Sequence, residues 1–187
     1  MQADLDQSRL TYGDDVSTMK SPLTKHQTNQ PSGYENFGRL LQLSFTFFVL
    51  FCAFFTTQNL TTFVLASDGY SHLGYYILAT LYLSIAIGSL ISTALTKKLG
   101  TYKCLILGGF GHFSFVLAST FPAYKYDHPD SSSFFTSTGF MSFLLILSAV
   151  LNGFGGSIIW VAEGSYVASC ATSKTRGFFY GFFWMFY

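Results

Sequence analysis

Five polar side chains that stand inside long apolar runs are the residues of this sequence most able to do chemistry. They are two carboxamides close together, an imidazole, a third carboxamide and a carboxylate: Gln58, Asn59, His112, Asn152 and Glu163. Each is costly to place among hydrocarbon, so each is a hypothesis for a functional site. Carboxamides can hydrogen-bond a solute, an imidazole can relay a proton, and a carboxylate can bind a cation.

The carboxamides have two interpretations. Gln58 and Asn59 either form hydrogen bonds between helices or line a polar cavity. Asn59 also opens an Asn-Leu-Thr glycosylation sequon, but the transferase reaches a site in or beside a bilayer poorly, so we expect no glycan there. Together with residues of a later apolar run they give the candidate cavity-lining set: Gln58, Asn59, Asn152, Trp160 and Glu163.

The two titratable groups also leave alternatives open. Glu163 either pairs with a basic residue, from Lys174, Arg176 or the Lys97–Lys103 segment, or faces a water-filled cavity where it titrates or binds a cation. His112 is either a neutral imidazole hydrogen-bonded within a helix bundle or a proton relay. On a helix, Asn152, Gly156, Ile159 and Glu163 would share one face.

No catalytic or metal-binding pattern accompanies these residues. The sequence contains no His-Glu-x-x-His, nucleophile elbow or Walker loop, so we expect no enzyme activity and no cofactor. Cys52, Cys104 and Cys170 are too widely spaced for a zinc site or a disulfide framework, and we expect small buried residues there. A net charge of +1 without a basic stripe argues against a nucleic-acid partner.

The elements that carry these residues are predicted to be membrane helices. Hydrophobic residues make up 50% of the chain and charged residues 10%, where a soluble domain has about a quarter charged. Four uncharged runs are each long enough to cross ~30 Å of hydrocarbon: Leu40–Ser67, Gly69–Thr96, Cys104–Tyr124 and Ser131–Ala162. A spanning segment must satisfy its own backbone groups, so the sequence predicts an all-α polytopic membrane protein whose partner is the lipid bilayer.

The predicted organisation has two parts. Residues 1–36 are polar, lack apolar periodicity and are expected to form a disordered tail. Residues 37–187 are expected to form a transmembrane bundle with helices at about 38–64, 73–96, 103–124 and 137–162, followed by an incomplete fifth helix at 177–187. Eleven residues reach only about halfway across the hydrocarbon, so we expect the chain to be the N-terminal portion of a longer protein.

Small residues recur where helices would pack together. In the second predicted helix Ser84, Gly88 and Ser92 follow a four-residue spacing, and the fourth helix carries Gly153 and Gly156. Helices gain little from hydrophobic association within lipid, so close backbone approach across small side chains supplies the contact energy. These five positions are the predicted helix-packing residues.

The basic residues predict an orientation. Counting the connections in order, nine of the ten Lys and Arg residues fall on one side of the membrane, all except Lys125. Cytoplasmic loops are the basic ones, so we expect a multi-pass protein with a cytoplasmic N-terminus. The choice between plasma membrane and an endomembrane stays open.

Several segments together resemble one known family. The resemblance extends from about Asn36 to Tyr187, and its most specific part is the glycine-rich stretch that ends in Trp160 and leads into Glu163-Gly164-Ser165-Tyr166. The matching segments are Ala53–Leu60, Leu73–Tyr75, Leu95–Gly100, Gly153–Tyr166 and Arg176–Phe179. They resemble the ion-channel regulatory proteins of the "uncoordinated ninety-three" type, a branch of the major facilitator superfamily of transporters.

The resemblance implies a twelve-helix protein of two six-helix halves, with this chain the greater part of the first half and the C-terminal half as its missing partner. It implies that the first and fourth helices line a central cavity, whereas the third packs outside, which makes a role for His112 less expected. The family usually has Gln at Glu163 and Tyr at His112.

The segment before the third helix departs from the superfamily pattern. The candidate gating-loop residues are Lys97, Lys98, Gly100 and Lys103, and Lys97 stands where the pattern has Asp. Without that acidic residue, the usual charge-latched gate is in doubt.

Two functions follow from these expectations. The first is a membrane protein of transporter fold that carries a small solute or ion by alternating access. The second is a non-transporting regulator or trafficking partner of ion channels or other membrane proteins. Several polar groups converging on one cavity would favour the first, and an apolar axis would favour the second.

Overall fold

The structure is a computed structural model that describes residues 33–67, 70, 72–128, 134 and 137–187. Six helices occupy those residues: α1 Phe37–Ser67, α2 Leu73–Leu99, α3 Thr101–Ala118, α4 Thr120–Asp127, α5 Thr138–Cys170 and α6 Arg176–Phe186. Four segments are long and apolar enough to cross a membrane, namely α1, α2, the continuous stretch Thr101–Asp127 and α5. The all-α polytopic fold predicted from the apolar runs is confirmed.

Side-chain exposure agrees with a lipid surrounding. Large apolar side chains lie on the outside of the helices, with Leu90 83% and Phe63 75% exposed. Buried positions of α1 recur every three or four residues through Leu40, Leu43, Phe47, Phe51 and Phe54. One side of α1 therefore faces the bundle, and the other presents hydrocarbon to lipid.

The helix α5 is the centre of the bundle. Half of its most apolar segment is buried inside the bundle, compared with 28–33% of the corresponding segments in the other three spans. Its most extensive contacts are with α3 and α2. It ends at Cys170, beyond the predicted end at 162, because a helical backbone can continue through Glu163 as long as its own hydrogen bonds are made.

Glycine makes the close approaches to α5 possible. A Cβ atom on Gly153 would lie 2.6 Å from the Leu81 carbonyl oxygen, and one on Gly111 would lie 2.8 Å from the Leu151 carbonyl oxygen. Ser84 and Gly88 of α2 meet α5 at Gly153 and Ser157, and Ser92 is fully buried. Gly156 has more room, since its nearest neighbour would be Ile85 at 3.7 Å.

The third span is divided at Ser119, which separates α3 from α4 and keeps helical backbone angles, φ −70° and ψ −10°. Pro122 lies in the first turn of α4, where a residue without a backbone N–H breaks no hydrogen bond within that helix, although it cannot continue the ladder of α3. The interruption falls near the predicted end of the third helix.

Residues 33–36, which the sequence assigns to the tail, form turns that pack on α5 and α6. The Asn36 side chain donates to the Cys170 carbonyl at 3.4 Å, and Thr175 donates to the Gly33 carbonyl at 3.4 Å. The Tyr34 ring meets Phe178 edge-on at 5.4 Å. The rest of the predicted tail, residues 1–32, lies outside the described residues.

The helix α6 is short and docks on α1 through aromatic rings. Phe179 and Phe183 are fully buried, and Phe183 lies 5.3 Å from Phe47, edge-on. The Tyr180 hydroxyl donates to the Gly164 carbonyl of α5 at 2.6 Å. These contacts hold α6 against the two helices that carry most of the candidate cavity residues.

Candidate solute-binding cavity

A cavity of about 200 Å³ lies where α1, α2, α3, α5 and α6 meet. Its wall combines aromatic rings with three polar side chains and contains no charged side chain from the described residues. The lining residues are Phe51, Phe54, Phe55, Gln58, Leu81, Tyr82, Ile85, His112, Asn152, Gly156, Trp160 and Tyr187.

Asn152 is the most constrained of the polar groups. The residue is 2% exposed, yet neither its side-chain oxygen nor its nitrogen has a hydrogen-bond partner within the described part of the chain. The neighbouring positions explain its access to the cavity: Gly153 and Gly155 bring α2 and α3 close, and Gly156 leaves the wall open beside it. A buried amide without partners is available to a molecule in the cavity.

Gln58 reaches the same cavity from α1. Its side-chain oxygen is buried and lacks a hydrogen-bond partner among the described residues, while its backbone carbonyl accepts from the Thr62 hydroxyl at 2.9 Å. Asn59, one residue later, is exposed and is not part of the cavity wall. The two adjacent carboxamides therefore differ in environment, because successive helix positions are about 100° apart.

His112 is the third polar group, contributed by α3. Its Nδ1 lies 2.9 Å from the Gly108 carbonyl oxygen, which can only accept, so Nδ1 is the donor. In a neutral imidazole with the proton on Nδ1, Nε2 is an acceptor. The rings of Phe51 and Phe54 contact it edge-on with centroids 5.1 and 5.0 Å away, which fixes the imidazole plane.

Trp160 forms the aromatic end of the cavity. Its ring is stacked on Trp184 of α6 at 5.7 Å with an interplanar angle of 4°. Phe51 lies 5.2 Å away and Tyr187 meets the ring edge-on at 5.0 Å. One stacked ring, one tilted ring and one edge-on ring hold the indole in one orientation, so its face is a fixed part of the site.

Glu163 does not line this cavity. It is 3% exposed and lies two helical turns beyond Gly156, on the packed side of α5 together with Asn152 and Ile159. Its Oε1 has no hydrogen-bond partner, and it forms no ion pair with any Lys or Arg in the described ranges. The ion pair expected from the sequence is therefore not seen among the described residues, and the interpretation that Glu163 faces a water-filled cavity stays a prediction.

The candidate gating-loop residues lie at one end of the bundle. Lys97 and Lys98 stand in the last turn of α2, where cations are favoured by the helix dipole, and both are exposed. Gly100 alone separates α2 from α3, with φ of +86°, a conformation that L side chains rarely adopt. Lys103 is exposed in the first turn of α3.

The cavity contains residues that the sequence argument set aside. The family resemblance implied that the third helix packs outside, yet His112 is 3% exposed and faces the cavity. Tyr82 and Tyr187 also line the wall without having been predicted. The signal for His112 was its position within an uncharged run.

The cysteines are all free, and Cys52 is exposed, contrary to the expectation of burial.

Two known proteins are similar to this chain over most of its length. UNC93-like protein 3 of Arabidopsis thaliana is 29% identical over 152 residues, which cover 76% of this chain and 28% of that protein. Protein unc-93 homolog A of Bos taurus is 27% identical over 142 residues, covering 75% of this chain and 26% of that protein. No protein-family profile matches the chain, and no solved structure matches it.

These similarities confirm the family resemblance predicted from the sequence. The chain spans about a quarter of the length of each of these relatives, 28% and 26%.

Proposed function

We propose that this chain, which is UNC93-like in sequence, forms part of a transporter-fold membrane protein that carries a small solute through the cavity at Asn152. The observation that supports this most is the convergence of three partly or wholly unpartnered polar groups, Gln58, His112 and Asn152, on one aromatic-walled cavity. A protein that used its bundle only as a docking surface would gain nothing from burying them, since each unsatisfied buried group costs about 1–3 kcal/mol.

The chemistry of the wall favours a small cation that can donate hydrogen bonds, such as an alkylammonium ion. Gln58 Oε1, Asn152 Oδ1 and His112 Nε2 are acceptors, and the faces of the aromatic rings attract positive charge. No Lys or Arg of the described residues lines the cavity to bind an anion. A volume of about 200 Å³ is below the range of drug-sized ligand sites, which limits the solute to a few heavy atoms.

The proposed orientation has the N-terminus in the cytoplasm. In the antiparallel order of the spans, the start of α1, the end of α2, the start of α3 and the end of α5 lie at one end of the bundle. That end carries Arg39, Lys97, Lys98 and Lys103 and is followed closely by Lys174. The positive-inside rule assigns this end to the cytoplasm.

Binding can be tested by titrating methylammonium into the purified protein and following tryptophan fluorescence. Trp160 lines the cavity and Trp184 is stacked on it, so both tryptophans of this chain report on occupancy. We expect saturable quenching. Gln58→Leu should raise the dissociation constant for methylammonium roughly tenfold, because it removes one hydrogen bond to a charged ligand. The matched control is Asn59→Leu, which removes the same amide one residue away and should leave the titration unchanged. An equal response of the two variants would contradict the proposal.

A second candidate function is a non-transporting regulator of ion channels or other membrane proteins. The feature that favours it is the α2–α3 junction, where Lys97, Lys98 and Lys103 stand together without an acidic partner among the described residues. A charge-latched gate needs such a partner. Co-expression with candidate channels would test this function: channel current or surface level should change equally with the wild-type protein and with an Asn152→Leu variant.

A further inference from the structure

We propose that a groove between α1, α3 and α5, separate from the solute cavity, binds one anionic phospholipid. The groove has a volume of about 350 Å³. Its wall is polar at one end and apolar along the rest, which is the pattern of a headgroup and an acyl chain. The binding itself is independent of the proposed transport function, and only the assignment of the leaflet rests on the orientation proposed above.

The polar end of the groove is formed by Arg39, Gln42, Tyr102 and Tyr166. Arg39 opens α1, Tyr102 opens α3 and Tyr166 lies in the last turns of α5, so all are at the basic end of the bundle. Arg39 makes no ion pair within the described residues, and no acidic side chain among them lines the groove. A guanidinium with two phenolic donors matches the oxygens of a phosphodiester.

The remaining wall is mostly apolar and has the depth of one leaflet. Its apolar residues are Leu43, Phe47, Leu50, Leu105, Ile106 and Ile159. Its one hydroxyl, that of Thr46, already donates to the Gln42 carbonyl oxygen at 2.8 Å. Along α1 the rise from Arg39 to Leu50 is about 16 Å, roughly half of the hydrocarbon thickness. A lipid whose phosphate contacts Arg39 would therefore lay its acyl chain along this wall.

Gly109 forms part of the wall and gives the groove its width. A Cβ atom at Gly109 would have nothing within 4 Å, whereas one at the adjacent Gly108 would contact α5. A larger side chain at position 109 would thus occupy the groove without disturbing helix packing. This property makes Gly109 the position at which acyl-chain binding can be blocked selectively.

The lipid is proposed to be anionic because its charge would complement that of Arg39. An arginine near a membrane surface, with no ion pair to the described residues, favours an anionic over a zwitterionic lipid by about fivefold. Anionic lipids are concentrated in the cytoplasmic leaflet, the side to which the proposed orientation assigns this end. A phosphatidylserine molecule therefore fits both the charge and the location.

The test is native mass spectrometry of the full protein in mild detergent with equal amounts of phosphatidylserine and phosphatidylcholine. We expect one phosphatidylserine per chain retained about fivefold over phosphatidylcholine. Arg39→Gln should abolish the preference and Arg39→Lys should keep it. Gly109→Leu should reduce retention of both lipids, and the control Gly139→Leu, another open helical glycine, should behave as wild type.

Three outcomes with the wild type or Arg39→Gln would overturn the proposal. They are equal retention of the two lipids by the wild type, a preference that survives Arg39→Gln, and displacement of the bound lipid by millimolar inorganic phosphate, which would indicate a free-phosphate site. Unchanged elution of Gly109→Leu in size-exclusion chromatography shows that the variant is folded. Full lipid retention by that folded variant would equally contradict the assignment.

Discussion

The Asn152 side chain gives the cavity a polar surface and lowers the stability of the folded bundle. Its amide is 2% exposed and has no partner in the part of the chain that the structure describes. An apolar residue of similar shape would avoid the cost of about 1–3 kcal/mol for each unsatisfied group. The unsatisfied amide therefore supports the proposal that the cavity binds a ligand which hydrogen-bonds to Asn152.

Glu163 presents the same problem in a sharper form, because burying a carboxylate without a partner costs more than burying an amide. We predict that Glu163→Gln folds and has a thermal midpoint equal to or above that of the wild type, since the amide keeps the shape and removes the charge. Fluorescence-detected size-exclusion chromatography after heating measures this midpoint. The variant should change only a cation dependence of transport.

A Glu163→Gln protein with a clearly lower midpoint, or one that does not reach the membrane, would contradict this account. It would show that the charge is needed by a partner beyond the described residues. Glu163→Leu is a useful comparison, because it also removes the hydrogen-bonding capacity and so separates the effect of charge from that of polarity.

At the scale of the helices, adjacent glycines of α3 have opposite environments. A Cβ on Gly108 would lie 2.8 Å from the Gly155 carbonyl oxygen, whereas one on Gly109 would meet nothing within 4 Å. Gly108→Ala should therefore destabilise the bundle by about 1–3 kcal/mol through overpacking. Gly109→Ala should be neutral or stabilising by up to about 1 kcal/mol, since alanine is the better helix former.

Thermal midpoints of the two alanine variants, measured in the same detergent, check this prediction. Both replacements add one methyl group to the same helix, so a difference in midpoint reports on packing against α5 alone. Equal midpoints would mean that α3 and α5 are not in the close contact seen here.

The helices themselves could be predicted from the sequence, because charge-free runs of this length have few alternatives in a membrane. The glycine positions also predicted close packing, since small residues are required wherever backbones approach. The outer ends of the helices could not be predicted. An uncharged run shows which residues lie in the hydrocarbon, but a helix ends where its backbone hydrogen bonds end, and that point is not visible in the charge pattern. The continuation of α5 through Glu163 to Cys170 is one example.

The site was predicted less completely than the helices. Gln58, Asn152 and Trp160 meet at one cavity, but Asn59 is exposed and Glu163 does not contribute to the cavity wall. Sequence spacing gives the relative directions of side chains on one helix but not the rotation of that helix against its neighbours. His112 was set aside because the family's third helix is expected outside, and only packing of α3 on α5 brings it to the cavity.

For the whole molecule, the orientation in the membrane can be tested by cysteine labelling in a background without Cys52, Cys104 and Cys170. Single cysteines at Ser71 and Ser132 should react with an impermeant thiol reagent in intact cells, and one at Thr101 should react only after permeabilisation. The reason is the concentration of basic residues at the end of the bundle that contains Thr101. The reverse labelling pattern would contradict the proposed orientation.

The central claim is that the cavity at Asn152 carries a small cation, and the most direct test is uptake of labelled methylammonium into proteoliposomes that contain the full protein. The wild type should show saturable uptake. Asn152→Leu should lose it while keeping or raising the thermal midpoint, because the substitution removes an unsatisfied amide from the core. Asn59→Leu should transport normally. Undiminished uptake by a correctly folded Asn152→Leu protein, or no uptake by the wild type, would contradict the account.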